Sequence, residues 1–334
     1  MKIGVIGSGS WGCALSIAFS TISDVLIYSR NPQQVFNINN HHYNDGYMPS
    51  GVLFNSNVLA TNTLLDLFGM DLLIIATPIN SMRQVLNNLY AIKSNIPDVI
   101  WVCKGFEQET GLLPHQIIED IFQKPSFKYG GLLGPSFAFD VAHEKITALV
   151  LVSKDIDFGF KLATKFNAIA NFRVYVNEDV IGAEICSAVK NVIAIASGVI
   201  DGLQLGDNAR AALVTRGLHE IMKLVISLHG NVNTVYGLTG LGDLMLTSNG
   251  ALSRNKTVGM KLAAGKTLQN ILNEISHVAE GVSTVKEVYK LSRQLKLEMP
   301  ITTAVYDVLY NNCPIEHVIN QLLTRESKFE TYLL

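Results

Sequence analysis

Residues 4–12, GVIGSGSWG, decide the fold. They set Gly7, Gly9 and Gly12 in a G-x-G-x-x-G spacing, directly after a short apolar run and directly before the helical pattern CALSIAFS. Each glycine has a mechanical reason to be there, since one turns the chain, one lets backbone approach a pyrophosphate, and one lets helix and strand pack closely. The helix start behind the loop offers free amides and a positive dipole to an anion. An isolated glycine pattern is a tight turn; with a strand before it and a helix behind it, it indicates a dinucleotide site.

Working outward, residues 2–6, 25–28, 72–76, 99–103 and 147–152 read as strands, with amphipathic stretches such as 82–92 between several of them. That alternation implies an α/β fold with a Rossmann-type, mostly parallel, doubly wound sheet. Beyond about residue 181 the pattern turns helical, at 182–198, 208–228, 258–264, 283–295 and 301–311. The expected organisation is a dinucleotide-binding domain over 1–181 and an all-helical substrate-binding domain over 182–334. The first of those helices, GAEICSAVKNVIAIASG, carries Lys190 amid small residues, Ala183, Cys186, Ser187, Ala194 and Ser197, on one face. Such a face is either a snug helix contact that the lysine leaves for water, or room for a ligand beside an amine.

The end of the second strand reads VLIYSRN. A site selective for NAD usually has Asp or Glu there for the ribose hydroxyls, whereas this chain has Ser29 and Arg30. An arginine at that point suits a 2′-phosphate, so NADP is expected to be accepted at least as well as NAD. An ordinary surface arginine is the plain alternative.

The composition narrows the function classes. With 334 residues, 48% hydrophobic and 16% charged, the chain can build a large core and has no disordered signature. A net charge of -2 without a Lys/Arg-rich run gives no electrostatic footprint for nucleic acid or an anionic membrane. No apolar stretch reads as a membrane span, and the N-terminus reads poorly as a signal peptide, so the expected location is the cytoplasm. Cys13, Cys103, Cys186 and Cys313 form neither a CxxC nor a zinc pattern and are expected to be reduced, buried thiols, with no metal site.

Four further segments have the look of sites: CKGFEQETG with Lys104, LLGPSFAFD with Gly134 and Ser136, GLTGLGDLMLT with Asp243, and SRNKTVG with Ser253, Arg254 and Asn255. Singly, each has a plain reading as a strand-end lysine, a turn, an Asx turn or a helix cap. Together they are complementary: Arg254 at a helix start suits a phosphate, and two lysines suit a hydroxyl or carbonyl undergoing reaction. In this order, with GAEICSAVKNVIAIASGVIDGL, GDNARAALVTRGLHEI and AEGVSTV, they resemble the bacterial-type NAD(P)-dependent glycerol-3-phosphate dehydrogenases over nearly the whole chain.

That resemblance implies hydride transfer between NAD(P)H and dihydroxyacetone phosphate, giving sn-glycerol 3-phosphate for phospholipid synthesis. It implies Lys190 as the acid–base group, its amine made less basic by burial or by Lys104. It implies that Lys104 touches substrate and cofactor, that Gly134, Ser136, Ser253, Arg254 and Asn255 hold substrate, that Asp243 orients the lysine or the substrate hydroxyls, and that Asn191 supports Lys190 or touches substrate. Ser10, Trp11, Arg30, Ala138, Arg254, Val278 and Glu280 would line the cofactor. Cys103, Ile79 and Asp140 depart from the family's usual residues. The apolar helices leave room for a homodimer face. Two other readings stay open: another two-domain hydroxyacid dehydrogenase, and a silent NADH-sensing protein that consumes none.

Overall fold

A computed structural model describes residues 1–275, 279–326 and 329. The first part alternates β1 (Lys2–Ile6), α1 (Ser10–Ser20), β2 (Asp24–Tyr28), α2 (Pro32–His41), β3 (Val58–Thr61), β4 (Leu72–Ile75), α3 (Ile79–Ile92) and β5 (Asp98–Trp101). It continues with α4 (Pro114–Phe122), β6 (Tyr129–Leu133), α5 (Ala138–Ala142), β7 (Thr147–Val152), α6 (Ile156–Phe166) and β8 (Phe172–Asn177). These strands form one eight-stranded sheet in the order β3-β2-β1-β4-β5-β6-β7-β8. Every pairing is parallel except β6 with β7.

The sheet is covered on both faces, which is why its central strands read as unbroken apolar runs. Ile3, Val5, Leu72, Ile74 and Ile100 enter the core beneath α1 and α6, while Ile6, Leu73, Ile75, Val99 and Trp101 enter the core beneath α3 and α4. The order of strands reverses between β1 and β4, so the crevice at their carboxyl ends is where a nucleotide binds in such sheets. Both the glycine loop and the segment holding Lys104 leave the sheet at that end.

Sequence patterning missed β3, β6 and β8. β3 has four residues, and β6 carries Gly130 and Gly131, which weaken any strand signal. β8 is an edge strand with Arg173 and Tyr175 exposed, so its alternation is half polar.

The remaining helices are α7 (Val180–Gly202), α8 (Asp207–Ser227), α9 (Val232–Val235), α10 (Asp243–Asn249), α11 (Arg254–Ala263) and α12 (Leu268–Glu274), then α13 (Glu280–Gln294), α14 (Pro300–Tyr310) and α15 (Ile315–Leu323). Helix α7 is the axis of this part, packed by α8, α10, α11, α13 and α14. Its first turns reach under the sheet, where Val180 and Ala183 join the β4–β5 core. By length and composition α7 could cross a membrane, contrary to the expectation that no stretch reaches that length. Its apolar sides are instead spent on neighbouring helices, which leaves it almost wholly buried.

Close approach of α7 and α11 depends on two glycines. A Cβ on Gly259 would lie 1.9 Å from the Ile195 carbonyl oxygen, and one on Gly198 would lie 2.0 Å from that of Lys256. Gly259→Ala must push the helices apart, and we expect it to cost about 3 kcal/mol, the upper end for overpacking. An unchanged denaturant midpoint would contradict this packing.

Among the cysteines, Cys13, Cys103 and Cys186 are buried free thiols, as expected, whereas Cys313 is only half-buried. Burial pushes the Cys13 thiol up to about 12 and those of Cys103 and Cys186 upward as well, which leaves them unreactive.

Candidate active site

The glycine loop is shaped for a close approach. Gly7 has φ +117°, and a Cβ there would lie 2.9 Å from the Ala76 carbonyl oxygen; a Cβ on Gly12 would lie 1.9 Å from the Gly7 carbonyl oxygen. Helix α1 is thereby drawn against the β1 and β4 ends. Gly9, between them, has nothing within 4 Å of the place of a Cβ, so its backbone faces open space at the start of α1. No side chain caps that helix start and no acid lies in its first turn. The residues present therefore fit a pyrophosphate, and with it a dinucleotide. Ser10 and Trp11 open α1 half-buried, and Ala138 opens α5, which packs on α1.

Across the crevice, three charged side chains from three segments meet. Asp243, fully buried at the first position of α10, accepts a hydrogen bond from Lys104 Nζ through Oδ2 at 2.7 Å and a short one from Lys190 Nζ through Oδ1. Lys104 Nζ also donates to the Gly134 carbonyl oxygen at 3.2 Å, and the Ser136 hydroxyl reaches the same oxygen at 3.2 Å. One carboxylate thus holds two ammonium groups that came from the end of β5 and the middle of α7. A π-helical turn, Leu238–Gly242, delivers Asp243 to this place.

Lys190 does not escape to water; its side chain is 7% exposed. The small face of α7 is a helix contact, because α10 lies on it and Ser197 Oγ donates to the Ser248 carbonyl oxygen at 2.9 Å. Burial pulls the Lys190 amine down from the usual lysine range to about 7; the Asp243 charge works upward and the Lys104 charge downward. An amine in that range exchanges a proton near neutrality.

Thr247, one turn beyond Asp243 on α10, accepts from Lys190 Nζ at 2.8 Å and donates to the Asp243 carbonyl oxygen at 2.6 Å. Sequence reading missed it. Its signal was the i, i+4 spacing from Asp243, visible only once a helix is known to start there. Also missed was Thr284, whose buried Oγ1 has no hydrogen-bond partner among the described residues and lies 3.1 Å from the place of a Cβ on Gly105, beside Lys104.

The phosphate-side candidates lie around the start of α11. Ser253 caps this helix, its Oγ accepting from the Lys256 amide at 3.3 Å, which is the plain role open to it. Arg254 follows it, exposed. Asn255 is buried, donates to Asn191 Oδ1 at 2.9 Å and accepts from the Gly281 amide at 3.0 Å, so it ties α11, α7 and α13 together. Glu280, at the head of α13, has its carboxyl raised by burial, against the pull of Arg254, Lys104 and Lys190. Of the expected residues, Lys104, Gly134, Ser136, Lys190 and Asp243 form one bonded cluster, and Asn191 and Asn255 form a second. Arg30 stands apart, exposed, with no hydrogen bond or ion pair among the described residues. Val278 lies outside the described residues. The departures Ile79 and Cys103 are buried in the apolar layer around Met82, whereas Asp140 pairs with Lys145 at 2.7 Å on the surface.

A nucleotide-binding sheet joined to a helical part that sets two lysines on one buried carboxylate at the strand ends is the plan of a dinucleotide-dependent dehydrogenase. Residues 2–159 match the family model of the NAD-dependent glycerol-3-phosphate dehydrogenase N-terminus, and residues 179–320 match that of the C-terminus. The chain belongs to the NAD-dependent glycerol-3-phosphate dehydrogenase family.

Among its relatives, the glycerol-3-phosphate dehydrogenase [NAD(P)+] of Dechloromonas aromatica is 43% identical over 99% of both chains. That of Nitrosomonas eutropha is 44% identical over 99% of this chain and all of its own. The crystal structure of the Coxiella burnetii glycerol-3-phosphate dehydrogenase superposes with a TM-score of 0.91 at 32% identity, covering 97% of this chain and 99% of that one. D-mandelate dehydrogenase, at 12% identity and a TM-score of 0.62, shares the fold alone.

Proposed function

We propose that the chain catalyses the reversible, NAD(P)H-dependent reduction of dihydroxyacetone phosphate to sn-glycerol 3-phosphate, with Lys190 as acid and base. The observation that carries this assignment is the buried Lys190–Asp243–Lys104 bridge, in a chain of this family. Bound NAD(P)H supplies the hydride to C2 of the ketone. The Lys190 ammonium donates a proton to the C2 oxygen and, with Lys104, stabilises negative charge developing there. In the oxidising direction the neutral Lys190 amine takes the hydroxyl proton back. Asp243 keeps both lysines aimed at one point, and Thr247 holds the Lys190 amine from the other side.

The substrate phosphate is assigned to Arg254 and the α11 start, with Ser253 and Asn255 shaping it and Asn191 reaching the substrate from α7. Ser10, Trp11, Arg30, Ala138, Val278 and Glu280 are assigned to the cofactor, and the functional division of the chain is placed near residue 181. The product is the backbone of glycerophospholipids, which suits a cytoplasmic role in lipid synthesis; a homodimer is the assembly proposed.

The test is the initial rate of NADH and NADPH oxidation with dihydroxyacetone phosphate, with unphosphorylated dihydroxyacetone as control. We expect turnover of the phosphorylated ketone and a loss in kcat/KM of about 10³-fold without the phosphate, since its binding energy is spent on positioning C2. Equal rates would remove the phosphate site, and no turnover despite bound NADH would favour a silent sensor.

A further inference from the structure

The end of β2 is where a Rossmann-type site reads the 2′ position of the adenosine ribose. Here Ser29 is buried and turned inward: its Oγ accepts from the Asn31 amide at 3.2 Å and donates to Gln34 Oε1 at 2.6 Å. Ser8, inside the glycine loop, lies 2.7 Å from the same Gln34 Oε1 and 2.8 Å from Ser29 Oγ. The three side chains close a triangle that ties the loop to β2 and to the first turn of α2. Gln34 Oε1 accepts from Ser29 Oγ, and Ser8 Oγ shares its one proton between Oε1 and Ser29 Oγ, so the Gln34 amide turns its oxygen inward and its Nε2 donors have no partner among the described residues.

The segment itself carries no negative charge. Residues 25–44 contain no Asp or Glu, and Arg30 is the one Lys or Arg among them. The first turn of α2 has no acid, and Asn31 caps it by accepting from the Gln33 amide at 2.9 Å.

We propose that Gln34 is the specificity-determining residue that lets this site take both NADH and NADPH. The inference rests on the dinucleotide reading of the site. A neutral N–H donor serves a 2′-hydroxyl and a 2′-phosphate alike, and Arg30 adds charge for the phosphate. A carboxylate of the same shape would keep the two serine hydrogen bonds, accept from the 2′-hydroxyl of NADH, and repel a 2′-phosphate. The residue that decides between the dinucleotides is therefore not the one at the β2 end, whose hydroxyl is already used.

The experiment is direct binding of NADH and NADPH, followed by nicotinamide fluorescence, to the wild-type chain, Gln34→Glu and Gln34→Lys. Gln34→Glu should lower NADPH affinity by about 50-fold while NADH affinity holds or rises, and Gln34→Lys should shift the ratio about tenfold the other way. Opposite shifts in two variants separate a charge effect at the 2′ position from damage to the loop. Equal losses for both dinucleotides, or an unchanged ratio in both variants, overturn the role of Gln34 while leaving the dinucleotide site in place. Absence of binding to the wild-type chain overturns that site and this inference with it.

Discussion

Lys190→Ala lowers kcat for dihydroxyacetone phosphate reduction by about 10⁴-fold, the upper range for loss of a positioned acid, and leaves NADH affinity within about twofold. The fold should survive, because Asp243 keeps its hydrogen bond from Lys104 at 2.7 Å and no buried charge is left unpaired. The cofactor loop lies on the sheet side of the crevice and makes no hydrogen bond to Lys190.

A pH signature accompanies the loss. The acid form of Lys190 is populated below about 7, so wild-type reduction falls as pH rises through that value, while oxidation of glycerol 3-phosphate rises over the same range. In Lys190→Ala neither inflection remains. Turnover that survives the substitution, with its inflection intact, would assign the proton to another group.

Asp243→Asn is the second large effect. The amide keeps the shape of the carboxylate but leaves the Lys104 and Lys190 ammonium groups facing each other without a counter-charge. With the upward pull of Asp243 gone, burial and Lys104 push the Lys190 amine below 7, and the acid form disappears at neutral pH. We expect kcat for reduction at pH 7 to fall by about 10³-fold, with part of the rate recovered toward lower pH. A pH profile measured in both directions checks this. A reduced rate with an unmoved inflection would make Asp243 a packing residue and not the charge that sets the Lys190 proton affinity.

Much of this arrangement is legible in the chain alone. The Gly7, Gly9, Gly12 spacing carries the nucleotide loop because glycine is demanded there by local contacts, such as the 1.9 Å a Cβ on Gly12 would make with the Gly7 carbonyl oxygen. Lys190 is visible because a lysine is costly in a helix otherwise so apolar. The edges are harder: β3, β6 and β8 are short, glycine-bearing or half-exposed, and their patterns are weak where burial on both faces is lost.

By itself, the sequence determined the α/β-then-helical plan, five of the eight strands, the nucleotide loop and the two lysines. Each of these is written in local spacing, in periodicity, or in a residue type out of keeping with its neighbours. Only the tertiary structure decided which charges meet. Asp243 lies 139 residues from Lys104 and 53 from Lys190 along the chain, and nothing in the local pattern of any of them specifies the bridge. It also decided that the small face of α7 is taken up by α10, that Thr247 takes a second hydrogen bond from the lysine, and that Ser29 turns inward to meet Gln34. The physical reason is the same throughout: burial, and with it the strength of every charge and hydrogen bond at the site, is set by packing between segments distant in sequence.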